Sequence, residues 1–198
     1  MKKVLFAAST ALFLLAACNN NKKPGITVTS EDGKTTTTID PTSIKETSDA
    51  FTKKADELKK LTPYTLDQLK ALLPEQLEGV KRSKFSANST MGAAFAEAEY
   101  EINDSTEVQL NIFDCAGEAG AGIYAMQYLG MMNMQSESDD EYTKTIDFNG
   151  SRAIEHGETD NSKHSITYFA ADRLMVTIEG KNTGIDMLKK IASNLKTK

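Results

Sequence analysis

Apolar residues recur along this chain in three rhythms, and each predicts a different element. The first is a predominantly apolar run, Val4 to Leu14, with Lys2-Lys3 ahead of it and Leu15-Ala16-Ala17-Cys18 behind. A run that short, basic in front and small behind, predicts an export signal, not a membrane span. The second rhythm is helical. Ile44, Phe51, Ala55, Leu58 and Leu61 recur opposite lysines and acids, predicting an amphipathic helix. Ser43-Ile44-Lys45-Glu46 has the form of a capping box for it, and Thr62-Pro63 stops it. Thr65 to Gln68 repeats the capping pattern ahead of Leu66, Leu69, Leu72 and Leu73, a short second helix ended by Pro74. Ile185, Leu188, Ile191, Ala192 and Leu195 predict a last helix with Thr183 as its cap, and Lys189, Lys190, Lys196 and Lys198 suit its C-terminal dipole.

The third rhythm has a period of two. Val80 to Ser86 is a candidate strand, followed by the turn-rich Asn88 to Gly92. Ala94, Ala96, Ala98, Tyr100 and Ile102 alternate with Phe95, Glu97, Glu99 and Glu101, and Val108, Leu110 and Ile112 alternate with polar neighbours. Antiparallel pairing with Ile102 opposite Val108 puts Tyr100 on Leu110 and Ala98 on Ile112; a slip by one residue would pair apolar with acidic. Asn149-Gly150 predicts a two-residue hairpin that sets Asp147 opposite Arg152 and Lys144 opposite Glu155, both attractive pairs. His164 to Ala170 and Leu174 to Gly180 form a further hairpin around Ala171-Asp172. Ile26 to Ser30 and Lys34 to Ile39 flank Asp32-Gly33, a turn that pairs Glu31 with Lys34, Val28 with Thr37 and Ile26 with Ile39. That hairpin either joins the edge of the main sheet or stays mobile, and its threonine-rich faces favour the second.

Ala116 to Met134 is small and apolar, with Gly117, Gly120, Gly122 and Gly130 among Ala, Tyr and Met. Several glycines in a helix imply close approach of its backbone to something, and the alanine face of Ala94 to Ala98 is the natural surface. Ser136 to Glu141 reads as a solvated acidic loop. The order is then two helices, three strands, a helix, four strands and a helix. That order predicts an α+β domain, an antiparallel, curved sheet of about seven strands with helices packed on it. Strict βα alternation is absent, and the two strand-rich stretches, each ending in a helix, suggest pseudo-symmetry. The expected organisation is a signal peptide over 1–17, a tether with a candidate hairpin over 18–42, and a single domain over 43–198.

Composition sharpens this outline at two points. Formal net charge is −5, and removing Lys2 and Lys3 with the signal leaves about −7. Acidic balance argues against nucleic acid and against a basic patch on anionic lipid. Two cysteines are present; with Cys18 consumed by lipid, Cys115 has no intramolecular disulfide partner, and a lone thiol is ordinarily buried.

Leu15-Ala16-Ala17-Cys18 is a lipobox: small residues let a membrane-embedded peptidase reach the backbone, and the Cys18 thiol accepts the lipid. This part of the chain resembles the precursors of bacterial lipoproteins. The resemblance implies acylation (palmitate among the chains) at Cys18 and an anchor in the cell envelope. Asn19 lacks the aspartate that favours inner-membrane retention, so the expected position is the outer membrane facing the periplasm. Leu72-Leu73-Pro74 through Gly79, Lys81 and Arg82 is similar to small bacterial envelope proteins of no assigned activity, and brings no functional residue with it.

Several constellations in the mature chain bear on chemistry, and each has a plainer reading. Gly117, Gly120 and Gly122 follow a strand and open a helix, but lack the spacing of a nucleotide loop. Met126, Met131, Met132, Met134 and Met175 with His156 and His164 could hold Cu(I), although methionine at helical spacing usually fills core. Cys115 with His156 or His164 could make a thiol nucleophile, with no local signature to support it. Glu97, Glu99 and Glu101 share one strand face where two carboxylates could do acid–base work, but a solvated strand face explains them without it. Asp139-Asp140-Glu141 lacks the EF-hand glycine and spacing. The expectation is therefore a non-enzymatic binding or scaffolding module, with no cofactor and no metal, held at the membrane through Cys18 beside an unidentified envelope protein or ligand. Its rival is a periplasmic ligand or copper carrier.

Overall fold

The computed structural model describes the backbone of residues 26–29, 36–39, 41–130 and 135–196, and side-chain burial over 48–127 and 135–196. The Cys18 lipobox, the Asp32-Gly33 turn and Met131 to Met134 lie outside the described residues. The chain divides into two units, Met1–Thr47 and Ser48–Lys198.

In the first unit, β1 (Ile26–Thr29) and β2 (Thr36–Ile39) pair antiparallel as a sheet of their own. Ile26 stands opposite Ile39 and Val28 opposite Thr37, the register that an Asp-Gly turn dictates. Helix α1 (Pro41–Lys59) begins two residues before the expected cap at Ser43. Proline fits a first helical position, where its missing N–H would have no partner anyway.

The second unit is built on one antiparallel sheet. Helix α2 (Leu66–Ala71) has the complete capping box, Thr65 Oγ1 accepting from the Gln68 N–H and Gln68 Oε1 from the Thr65 N–H. After the two-residue ladder of β3 (Gln76–Leu77) and β4 (Val80–Lys81) come β5 (Lys84–Thr90), β6 (Ala93–Asn103) and β7 (Thr106–Asp114). Helix α3 (Gly117–Gly130) leads to β8 (Gln135–Glu137), β9 (Glu141–Phe148), β10 (Ser151–Glu158), β11 (Lys163–Ala170), β12 (Leu174–Lys181) and α4 (Ile185–Asn194). Strand order is β5-β6-β7-β12-β11-β10-β9-β8, two meanders joined where β7 pairs β12.

The fold class is α+β, but the expected curved sheet of about seven strands is corrected to an uncurved one of eight. Bulges inside strands are the usual source of curvature. Here register runs unbroken along each strand pair, apart from one shift between Glu101 and Asn103 at the end of β6. The additional strand is β8, which takes up the start of the expected acidic loop and pairs Ser136 with Thr143. Its residues are all exposed, so no alternation marked it.

That one shift also corrects the β6–β7 register. Tyr100 faces Val108, Ala98 faces Leu110 and Ala96 faces Ile112, a slip of two residues from the expectation that leaves every side chain on its expected face. The cause is the turn. Asn103 Oδ1 accepts from the backbone N–H groups of Ser105 and Thr106, each at 3.0 Å, and so closes the hairpin tighter than counting apolar positions implied. β5 likewise runs on to Thr90 through residues expected to be a turn, and the chain reverses at Met91-Gly92, both with positive φ. The Asn149-Gly150 hairpin has its expected register, Asp147 opposite Arg152 and Lys144 opposite Glu155.

Helices cover both faces. On the face of Ala94, Ala96, Ala98 and Tyr100, α2 packs on β5 and β6 while α4 packs on β11 and β12. Here Leu69, Leu110, Ile166, Ile178 and Leu188 are fully buried. The other face has a smaller core of Leu58, Cys115, Ala121, Tyr124 and Met175, with Phe51, Ala55, Phe113, Ile154 and Phe169 around it. Helix α3 therefore lies over the Phe113 and Met175 side, not over the alanines as expected. Gly120 is the glycine that close approach demands: a Cβ there would stand 2.5 Å from the Cys115 carbonyl carbon, inside the helix's own entry loop. Because α3 and α4 sit on opposite faces, the suggested pseudo-symmetry is no rotation about the sheet normal.

The last helix is capped differently from the expectation. Gly184 is its N-cap, without a side-chain bond, and the Thr183 hydroxyl donates back to the Lys181 carbonyl. Lys189 and Lys190 reach carboxylates on neighbouring elements, Glu155 and Glu78, each at 2.6 Å, instead of the helix terminus. Leu188 is fully buried, as expected, and Leu195 is half-buried.

Candidate functional site

Strand parity delivers charged groups into the interior at two places. On β7, Val108, Leu110 and Ile112 face the core, and the next residue of that parity is Asp114, with 0% exposure. Its carboxylate is fully bonded. Arg173 donates from Nε to Oδ1 at 3.0 Å and from Nη2 to Oδ2 at 2.7 Å, and the N–H groups of Tyr64 (2.7 Å) and Ala116 (3.2 Å) complete the shell. The Arg173 guanidinium also stacks 3.6 Å from the Tyr64 ring centroid and donates to the Thr62 carbonyl. Burial lowers the Arg173 pKa, but the hydrogen bond and charge of Asp114 outweigh it and hold the value above the usual arginine range. This arrangement clasps the link between α1 and α2 to the ends of β7 and β12.

The second place is on β10, where Ala153 and Gly157 face the core and Glu155 lies between them, 1% exposed. Tyr142 donates to Oε1 at 2.9 Å, Lys144 stands 2.9 Å from the same oxygen, and Lys189 stands 2.6 Å from Oε2. The Lys189 contact is a tight ion pair whose geometry is not that of an aligned hydrogen bond. Desolvation pushes the Glu155 carboxyl up; Lys189, Lys144 and Tyr142 together outweigh it and hold it below the usual carboxylate range. Burial and the bond to Glu155 push the Tyr142 phenol up to about 12. On the neighbouring strand β11, opposite Gly157, His164 is buried at 3% exposure with Nδ1 lacking a hydrogen-bond partner. It stands across from Gly157 and Gly180, and a Cβ on Gly157 would fall 2.5 Å from the imidazole and 2.8 Å from the Tyr142 oxygen. Glycine is required there because two rings occupy the space.

The sequence pairs Lys144 with Glu155 across the strands but leaves the burial of Glu155 and the roles of Asp114 and Arg173 unread, and it marks His164 only as a metal or nucleophile candidate, not as a buried core group. The signal was present: each of the three buried groups on strands keeps the parity of its apolar neighbours.

The candidates the sequence did single out are dispersed. The Cys115 thiol is fully buried beside Leu58, Ala121, Tyr124 and Met175, and burial, with Asp114 adjacent, pushes its pKa up to about 12. His156 and His164 lie on opposite faces of the sheet. His156 is half-buried, with Nδ1 2.9 Å from the Thr143 hydroxyl. Met175 is buried in the smaller core while Met126 is 76% exposed on α3. Among the described residues no group of three or more His, Cys, Asp or Glu side chains is placed to hold a metal ion. Glu97 accepts from Ser86 at 3.1 Å and Glu99 pairs with Lys84 at 2.7 Å, so each is engaged across the strand pair. The carbonyls of Asp139 and Asp140 accept from the Thr159 hydroxyl, which fixes the loop through its backbone. Among the described residues no helix is long and apolar enough to cross a membrane.

No protein-family model, curated protein or solved structure matches the chain.

Proposed function

We propose that the protein is an envelope lipoprotein, anchored by acyl chains on Cys18, whose folded unit is a non-catalytic binding or scaffolding module. The lipobox Leu15-Ala16-Ala17-Cys18 supports the anchor. Each acyl methylene in the bilayer contributes about 0.8 kcal/mol, so two or three chains hold the protein in practice permanently. The observation that carries the module reading is where its chemistry-bearing side chains stand. Asp114 is saturated by hydrogen bonds and Glu155 is neutralised by two lysines, in both cases from separate elements, Cys115 is a packed core residue, and the two histidines face opposite ways. A buried, hydrogen-bonded ion pair of this kind fixes geometry.

The test is made in a bacterial host that exports and acylates lipoproteins. The full chain is expected to take up a labelled fatty acid and to sediment with outer membranes, and Cys18→Ala is expected to abolish both. Soluble mature protein beginning at another residue refutes the anchor. Crosslinking of the lipidated protein in membranes is expected to recover a reproducible partner. Stoichiometric copper in the native protein, lost with Met131, Met132 and Met134, refutes the module in favour of a carrier.

A further inference from the structure

An open sheet has two edges, and here they differ. At one end β8 is three residues long and carries Glu137. At the other, β5 is seven residues, KFSANST, with neither proline nor acid and with Lys84 as its one charge. Six of the seven are exposed, and no strand lies beyond it among the described residues. Proteins usually blunt such an edge by shortness, charge, proline or a bulge; β8 has the first two, and β5 keeps an unbroken register with β6. Exposed apolar side chains gather around the same strand. Phe85 is 50% exposed on it, Met91 is 95% exposed in the turn that follows, and Leu66 is 43% exposed on α2, which packs on β5. An open row of peptide groups flanked by exposed apolar side chains is the arrangement used for strand addition.

We infer that β5 pairs antiparallel with β5 of a second copy, about a twofold axis through Ala87. In that register Lys84 faces Thr90 of the second copy, Phe85 faces Ser89, Ser86 faces Asn88, and Ala87 faces itself. All seven residues are used, and no charge opposes a like charge. Parity is kept as well: Phe85, Ala87 and Ser89 stand on the face of Ala98, Ala96 and Ala94 in both copies, so the two sheets continue as one. A twofold contact of this kind is isologous and closes at two copies. Self-pairing suits this strand and not its neighbour, since Glu97, Glu99 and Glu101 on β6 would bring like charges together.

The test uses cysteine substitutions in the full chain, oxidised mildly in host membranes and read on non-reducing gels against the unsubstituted chain. Directly opposed residues have Cβ atoms about 4.5–5.5 Å apart, near disulfide range. Positions 84 and 90 stand roughly 20 Å from their own counterparts across the axis, six residues along a strand. Ala87→Cys is therefore expected to give a covalent dimer, and Lys84→Cys and Thr90→Cys are not. Adding Ser86→Lys and Asn88→Lys, which sets lysines against each other, is expected to remove the Ala87→Cys dimer while circular dichroism stays unchanged. Equal crosslinking at all three positions, or none at 87 in a folded protein, overturns the pairing, as does crosslinking at 87 to a different protein.

Discussion

Replacing Asp114 by Ala tests the idea that this domain is held at one end by a buried ion pair. The carboxylate is fully buried and accepts four hydrogen bonds, two from Arg173 and one each from the Tyr64 and Ala116 amides. Removing it leaves a guanidinium of 17% exposure with one remaining acceptor, the Thr62 carbonyl, and leaves two amides without a bond. Breaking one partner out of a buried pair costs about 3–5 kcal/mol. Partial solvent access of Arg173 and its stacking on Tyr64 put the expectation at the lower end, about 3 kcal/mol. For a domain of this size that lowers Tm by roughly 6–12 °C. The assay is thermal and urea unfolding of Asp114→Ala, Arg173→Ala and the double variant, with Glu101→Gln as an exposed control expected to change stability by less than about 0.5 kcal/mol. A double-mutant cycle is expected to give a coupling energy of about 1–3 kcal/mol. Hydrogen exchange is expected to rise first at Tyr64 and Ala116. An Asp114→Ala variant that melts within a degree of the parent, or a coupling energy near zero, refutes the clasp.

Three further outcomes follow from the same geometry. Glu155, held low by Lys189, Lys144 and Tyr142, contributes stability that is complete above the unfolded carboxyl value near 4.3 and is lost as pH falls through its lower folded value. Glu155→Gln is expected to lower stability by about 1–3 kcal/mol at pH 7 and to flatten the acid limb of an unfolding-versus-pH curve; an unchanged acid limb sinks the assignment. Cys115 titrates near 12 when folded and near 8.5 when unfolded, so the stability tied to its burial is complete below about 8.5 and declines as pH rises toward 12. Cys115→Ala is expected to remove a slope that steepens from about pH 8.5 and approaches about 1.4 kcal/mol per pH unit above about pH 9.5, and thiol reagents are expected to label Cys115 after unfolding and not before. Gly157→Ala is expected to destabilise by about 1–3 kcal/mol through collision with the His164 and Tyr142 rings, whereas Ala at Gly122, where a Cβ meets nothing within 4 Å, is expected to be neutral or stabilising; calorimetry that ranks the two the other way refutes the packing argument.

Local chemistry made much of the fold legible. The Thr65 capping box, the Asn149-Gly150 hairpin with its charge pairs, and the inward parity of β6 and β7 each depend on residues close in sequence or on a turn that fixes what they meet. The sequence by itself determined the α+β class of the domain and the face that the residues of β6, β7, β9 and β10 take, because periodicity and turn residues act within a few positions. The tertiary structure alone decided the rest. Two residues of slip between β6 and β7 turned on one Asn103 side chain, and the face that α3 covers turned on bulk supplied by Phe113, Met175 and Phe169 from other strands. The roles of Asp114 and Glu155 were set by cations 59 and 34 positions away in sequence, Arg173 and Lys189. A charged residue at a core-facing position signals that it will be buried, but the group that neutralises it comes from wherever folding brings one, and that depends on three-dimensional packing instead of on spacing along the chain.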